Sequence, residues 1–159
     1  MIRQATATDF DFIYGLYMHP EVNPWLLYER MDKKSFEPIF KDLIQAGIKY
    51  VYQQSGEEVG MFKLIALTHR TSHIAYLGGL GIHPSHSGKG CGYNLLKEII
   101  DNARERSFLR IELSVACENT KAIRLYEKAG FEKEGILRKY AHLKSENRFM
   151  DEVMMSCLL

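Results

Sequence analysis

The stretch His86-Ser87-Gly88-Lys89-Gly90-Cys91-Gly92 constrains this chain more than any other. It lies between a strand-like run, Ala75 to Ile82, and a helix-like run, Tyr93 to Arg106. Glycines at alternate positions let the backbone curl until several N–H groups face one point. A helix starting there adds its own unpaired N–H groups and the positive end of its dipole. By itself the segment has two readings: a cradle for a phosphate or pyrophosphate, or a plain strand-to-helix turn. Spacing excludes two familiar phosphate loops. The pattern G-x-x-x-x-G-K-[ST] fails on both sides of Gly88-Lys89, where His83 stands five residues before and Gly90 follows. The pattern G-x-G-x-x-G would need its last glycine at Tyr93.

A second segment decides between the readings. Asn119-Thr120-Lys121-Ala122-Ile123-Arg124-Leu125-Tyr126-Glu127-Lys128-Ala129-Gly130-Phe131 follows a strand-like run, Leu109 to Ala116. Asn119 suits a helix start and Gly130 a helix stop. With the glycine loop, this segment resembles the GNAT superfamily of acyl-CoA-dependent N-acetyltransferases. Its loop pattern, R/Q-x-x-G-x-G/A, falls on Ser87 to Gly92, and its pattern N-x-x-A-x-x-x-Y-x-x-x-G-F on Asn119 to Phe131, complete at every fixed position. The resemblance implies an α/β (α+β) fold. A mixed, mostly antiparallel sheet of about seven strands is flanked by four helices, and acetyl-CoA is the acyl donor.

The rest of the chain is consistent with that fold, read as one domain over residues 1–159. An apolar content of 46% is enough for one core at this length. A strand at Ile2 to Ala5 leads to a helix opened by a capping pair, Thr8 with Asp11, and carrying Phe12, Ile13, Leu16 and Tyr17. Met18 to Asp32 reads as a loop. A second helix starts near Ser35 with Pro38 in its first turn and the stripe Phe36, Ile39, Phe40, Leu43, Ile44. Ile48 to Gln53 and Val59 to Leu67 form a hairpin around Ser55-Gly56-Glu57. His73 to Ile82 enters the glycine loop, and the helix after it buries Leu96, Ile99, Ile100 and Ala103. A last hairpin joins Phe131 to Leu143 with Arg148 to Leu158.

A net charge of +1 provides no field to recruit nucleic acid or an anionic membrane surface. No apolar run approaches a membrane span, and no secretory leader pattern opens the chain. The cysteines, Cys91, Cys117 and Cys157, are few and widely spaced, without a metal-like C-x-x-C. They read as reduced thiols of a cytoplasmic protein with no metal site.

Acyl transfer to an amine needs a deprotonated amine, a polarised thioester carbonyl, a stabilised leaving thiolate, and reacting atoms held about 3–3.5 Å apart. Through the resemblance, the backbone of Ser87, Gly88, Lys89, Gly90, Cys91, Gly92 and Tyr93 holds the pyrophosphate. The strand segment Leu80, Gly81, Ile82 pairs with the pantetheine arm like an edge strand with a peptide. Asn119 bonds the cofactor's amide or simply caps its helix. That strand is expected to splay from the next, with Gly78-Gly79 and Gly81 suited to a bulge or to crowding. Ser87 replaces the family's usual Arg or Gln, which shifts the cationic work to Lys89 or His86. Tyr126 matches the tyrosine that acts as general acid toward the thiolate in many members. A phenol with a pKa near 10 stays protonated at neutral pH. The base stays open among Glu112, Glu118, His83 and water, because His73 to Ile82 contains no carboxylate.

Trp25, Tyr28 and Tyr140 are the candidates for the acceptor side. His19-Pro20-Glu21-Val22, Ser72-His73-Ile74-Ala75 and the stretch from Gly135 through Lys139-Tyr140-Ala141 to Asp151-Glu152 resemble bacterial L-amino-acid N-acetyltransferases within the superfamily. The function implied is transfer of an acetyl group from acetyl-CoA to the primary amine of a small molecule, with an L-amino acid as one such substrate. The alternatives are a protein N-terminal or lysine acetyltransferase and a non-catalytic acyl-CoA-binding module. The resemblance also implies a homodimer, since family members often pair.

Overall fold

In a computed structural model describing residues 1–159, the chain folds as β1 (Ile2–Gln4), α1 (Phe10–Tyr17), α2 (Lys33–Gln45), β2 (Lys49–Gln54), β3 (Glu57–Ala66), β4 (Ile74–Ile82), α3 (Cys91–Glu105), β5 (Arg110–Ala116), α4 (Thr120–Lys128), β6 (Glu132–Leu143) and β7 (Arg148–Leu158). The strands form one sheet in the order β1-β2-β3-β4-β5-β7-β6. Every pairing is antiparallel except β4 with β5. The expected element order and the seven-strand mixed sheet with four helices are both present.

Alternation along the strands divides the apolar residues between two cores. Phe62, Leu64, Leu77, Ile111, Leu113 and Met155 face α3 and α4, where Leu95, Leu96, Ile99, Ile100 and Ala103 pack on them. Val51 and Met61 face the other way, toward Ile13, Leu16 and Tyr17 of α1 and Phe36, Phe40 and Leu43 of α2. Each fully buried aliphatic side chain contributes roughly 1.5–3 kcal/mol.

The entry to α1 differs from expectation. The pair there is Thr6 and Asp9: the Thr6 N–H donates to Asp9 Oδ2 at 2.7 Å. Asp9 is buried and receives Arg3 at 2.7 and 2.9 Å. Asp11 instead points to solvent and pairs with Lys33. Helix α2 begins earlier than expected because Asp32 caps it, accepting from the Ser35 N–H at 2.8 Å. Pro38 therefore falls in its second turn. Helix α3 also begins earlier, at Cys91, so Cys91 and Gly92 stand in its first turn, where N–H groups lack helical partners.

Two irregularities in β4 shape the centre of the molecule. Met61 faces Gly81 while Lys63 faces Gly78, so two steps on β3 oppose three on β4 and a bulge falls at Gly79-Leu80. Gly79 adopts φ +54 there, and a side chain would meet Tyr17 Oη at 2.8 Å. On its other edge, β4 pairs with β5 only from Ile74↔Arg110 to Tyr76↔Glu112. Beyond that point β5 continues along β7, and Leu77 to Ile82 has no neighbour on that side. The expected splay is therefore present, as a V that opens toward the glycine loop.

Candidate active site

The V leads into a cleft of about 510 Å³. Leu80, Gly81 and Ile82 form one wall, and Ala122, Leu125 and Asn119 the other. Ser87, Gly88, Gly90, Cys91, Gly92 and Tyr93 close its end. Of the residues expected to hold the cofactor, only Lys89 does not line the cleft; it is exposed beside the loop.

Backbone geometry explains the glycines of the loop. Gly88 has φ +76 and Gly90 φ +80, and a Cβ at either would meet no atom within 4 Å. They are required by the left-handed backbone and leave open space in front of it. Gly92 differs, since a Cβ there would meet Leu125 Cδ2 at 3.0 Å. At Gly78 and Gly81 crowding is also real: added side chains would meet Tyr76 at 3.1 Å and Val22 at 3.2 Å.

The electrostatics suit an anion. His86, Lys121, Arg124 and Lys128 all line the cleft. Lys121 is the informative one, because its Nζ donates to Ser87 Oγ at 2.8 Å. A cation from α4 thus stands where the loop itself lacks one. Open space before a curl of N–H groups, a helix start and a ring of cations fit a diphosphate, and the partnerless edge of β4 fits an amide-bearing arm. Asn119 Oδ1 accepts from the Ala122 N–H at 3.2 Å, so it caps α4 while still lining the cleft.

Tyr126 is buried, with its ring 5.8 Å from that of Phe131. It does not line the cleft as its neighbours Ala122 and Leu125 do. Its hydroxyl has no protein partner, yet no partnerless side-chain N or O is sealed from solvent, so the phenol head opens on accessible space. Burial first, and then nearby Tyr76, push its pKa up, which keeps the proton on oxygen. Tyr76 Oη in turn lies 3.2 Å from Ser114 Oγ across the splay. Tyr76 is itself pushed up by burial, with Tyr140 and Glu152 adding to the shift.

The three acceptor candidates are not brought into one wall. Trp25 lines the cleft and is 44% exposed. Its loop is pinned by Asn23, whose Nδ2 donates to the carbonyls of Tyr17 at 2.8 Å and Tyr28 at 2.9 Å. Tyr28 turns inward, edge-on to Tyr17 at 5.1 Å. Tyr140 stands exposed over a shallow depression of β6 lined by Ile136 to Tyr140. Two of the candidate bases are committed to ion pairs, Glu112 with Arg110 at 3.0 Å and Glu118 with Arg148 at 3.0 Å. His83 Nδ1 is held by Ser85 Oγ at 2.7 Å.

Residues beyond the sequence reading also meet here: Lys121 at the loop, Tyr76 and Ser114 at the splay, and Tyr17, Lys49 and Lys63 beneath the bulge. A charged residue at an inward-facing strand position, as in Met61-Phe62-Lys63, was the one legible signal among them.

The chain matches the family described as "Acetyltransferase (GNAT) family" over residues 10–131. It is 30% identical over 101 residues to an N-alpha-acetyltransferase, RimI, of Mycobacterium tuberculosis, covering 63% of this chain and 62% of that one. It is 27% identical over 139 residues to the ribosomal protein bS18-alanine N-acetyltransferase of Escherichia coli, covering 87% and 85%. Among solved structures, spermidine N-acetyltransferase from Vibrio cholerae with CoA and spermine superposes with a TM-score of 0.85 at 25% identity, over 99% of this chain and 94% of that one. A ribosomal-protein-alanine N-acetyltransferase from Brucella melitensis shares the fold, with a TM-score of 0.81 at 23% identity over 100% and 99%. No helix is long and apolar enough to cross a membrane. With its glycine loop, its splayed strand pair and this match in place, the chain belongs to the GNAT family of acetyltransferases.

Proposed function

We propose that this acetyl-CoA-dependent N-acetyltransferase acts on the primary amine of a small molecule, by direct attack in a ternary complex. The observation that carries the reading is the apolar wall that the α1–α2 segment adds to the cleft. Asn23 pins that segment, Val22, Trp25 and Leu26 line the cleft with Leu80 and Gly81, and Val22 stands 3.2 Å from where a Gly81 side chain would begin. A single amine-bearing group fits there more readily than a folded protein surface. The similarity to a structure named for spermidine supports a small acceptor.

Acetyl-CoA supplies the activated acyl group. The loop N–H groups of Ser87 to Tyr93 and the Lys121 ammonium bind its phosphates. Along β4, the His83 N–H donates to Val59 O at 2.8 Å. Ladder alternation therefore turns the amide of Ile82 away from β3 and into the V. It orients the arm and fixes the thioester beside the bulge. The neutral acceptor amine forms the new C–N bond, the C–S bond breaks, and the amine's surplus proton leaves to water. Tyr126 donates its phenolic proton to the departing sulfur, and the phenolate is reprotonated from the water that took the amine's proton. A phenol kept protonated by burial is suited to that task, since a thiolate is the stronger hydrogen-bond acceptor.

The test is a competition. Enzyme and acetyl-CoA are mixed with an equimolar pool of small amines and N-terminal peptides, and the products are identified by mass spectrometry. Acetylated small amines support the reading. Acetylation confined to peptides would replace it with the protein-acceptor reading.

A further inference from the structure

Two lysines lie beneath the β4 bulge without a carboxylate. Lys49 and Lys63 are directly opposed across β2 and β3, 1% and 8% exposed. Lys49 Nζ donates to Tyr17 Oη at 3.0 Å and stands 4.4 Å from that ring's centre. Lys63 Nζ has neither a hydrogen bond nor an ion pair; it stands 5.6 Å from the ring centre of Tyr28. Like charges opposed across a strand pair destabilise a sheet, and lysine is almost never this buried unless paired. Packing does not explain the arrangement.

The surroundings place the Lys63 stem at the bulge, next to the cleft but not among the residues that line it. Its Cε passes 3.6 Å and 3.4 Å from where side chains of Gly78 and Gly79 would begin. The lysine stem thus fills the space that these glycines leave empty, immediately before Leu80 at the wall of the cleft. No partnerless side-chain nitrogen is sealed from solvent, so the Lys63 amine opens on accessible space. Tyr17 Oη reaches the same place, 2.8 Å from the position of a Gly79 Cβ.

We infer that Lys63 is a binding site for a carboxylate carried by the acceptor, so that the substrate class is a small amino carboxylate. This rests on the reading of the protein as a small-amine acetyltransferase and adds the anionic group. A carboxylate here receives a charge-assisted bond from an ammonium already stripped of water, with its stem held by the glycines and its head by Tyr28. Burial pushes both lysines below their ordinary range, Lys49 far below. An arriving carboxylate therefore favours the protonated form of Lys63, and Lys49 supports Tyr17 from behind through its hydrogen bond. Lys49 and Tyr17 act as positioning residues in this account.

The test compares L-amino acids with their carboxamides and with the corresponding decarboxylated amines, in wild type and Lys63→Met. Methionine matches the length of the lysine stem and suits a buried site. Wild type is expected to favour the amino acid at least tenfold in kcat/KM. Lys63→Met should abolish that preference by raising KM for the amino acid far more than KM for the decarboxylated amine, so that the two converge. Equal use of all three by wild type would overturn the inference while leaving the enzyme a small-amine acetyltransferase, as would an equal fall in kcat for every acceptor in the variant. If no amine is acetylated, calorimetry of amino acids with CoA-loaded protein separates the claims. Binding lost in Lys63→Met upholds the carboxylate site without the activity; absence of binding to wild type overturns both.

Discussion

Replacing Gly90 by alanine separates the loop's structural cost from its function. Gly90 holds φ +80, and a Cβ there meets no atom within 4 Å. The free protein is therefore penalised only by the left-handed backbone, about 1–2 kcal/mol for a residue with a Cβ. At this chain length that lowers Tm by about 2–8 °C. Gly56, in the β2–β3 turn, is the matched control: it has φ +82 and likewise nothing within 4 Å. Gly56→Ala should lower Tm by a similar amount. The two variants part on adding acetyl-CoA. In Gly90→Ala the methyl enters the open space assigned to the diphosphate, and Kd should rise at least tenfold, about 1.4 kcal/mol. In Gly56→Ala it should stay at the wild-type value. Thermal unfolding and isothermal titration calorimetry on the same preparations give both numbers. Equal acetyl-CoA affinity in the two variants would refute the placement of the diphosphate at this loop.

Three further outcomes follow from named contacts. Tyr126→Phe should lower kcat about a hundredfold with KM for acetyl-CoA nearly unchanged; unaltered turnover in steady-state kinetics removes its acid role. Lys121→Ala should raise the acetyl-CoA Kd about three- to tenfold at low salt and less at high salt, because an exposed cation on a phosphate is screened; a salt-independent effect contradicts the charge argument. Arg3 holds the Asp9 carboxyl down to about 2, below its ordinary 3.8, against the opposing effect of burial. The stability this confers, about 2 kcal/mol for Asp9 alone, is present above pH 4 and lost as pH falls toward 2. Glu58, pushed up by burial first and by Asp9, offsets part of it. Urea unfolding at several pH values should show a shallower acid limb in Asp9→Asn.

The fold was legible because its signals are local and repeated. The α3 stripe of Leu96, Ile99, Ile100 and Ala103 and the α2 stripe of Phe36, Phe40 and Leu43 each specify one buried face. The glycine loop and the Asn119 segment are contiguous, so the cleft they close was also readable. What escaped depends on register and on contacts distant in sequence. Nothing in Asn119-Thr120-Lys121 announces that Lys121 reaches Ser87, since that contact exists only once α3 and α4 lie side by side. The capping pair was misplaced by two residues because Thr6 and Thr8 stand before Asp9 and Asp11 at the same spacing. Burial of Asp9 beside Arg3, a tertiary contact, decides between them. Glu112 and Glu118 read as candidate bases; Arg110 of the same strand pairs with Glu112, and Arg148 of β7 pairs with Glu118. Tyr140 stands exposed because β6 bulges where Leu137 and Ala141 face Glu152 and Met150, a register feature that no local pattern announces.

The most direct test of the account is the rate of thiol release from acetyl-CoA by the wild-type protein, with and without a saturating small primary amine. The account predicts release that depends on the amine, saturates with it, and matches the N-acetylated product mole for mole. Tight binding of acetyl-CoA with no release above the buffer rate for any small amine would contradict it.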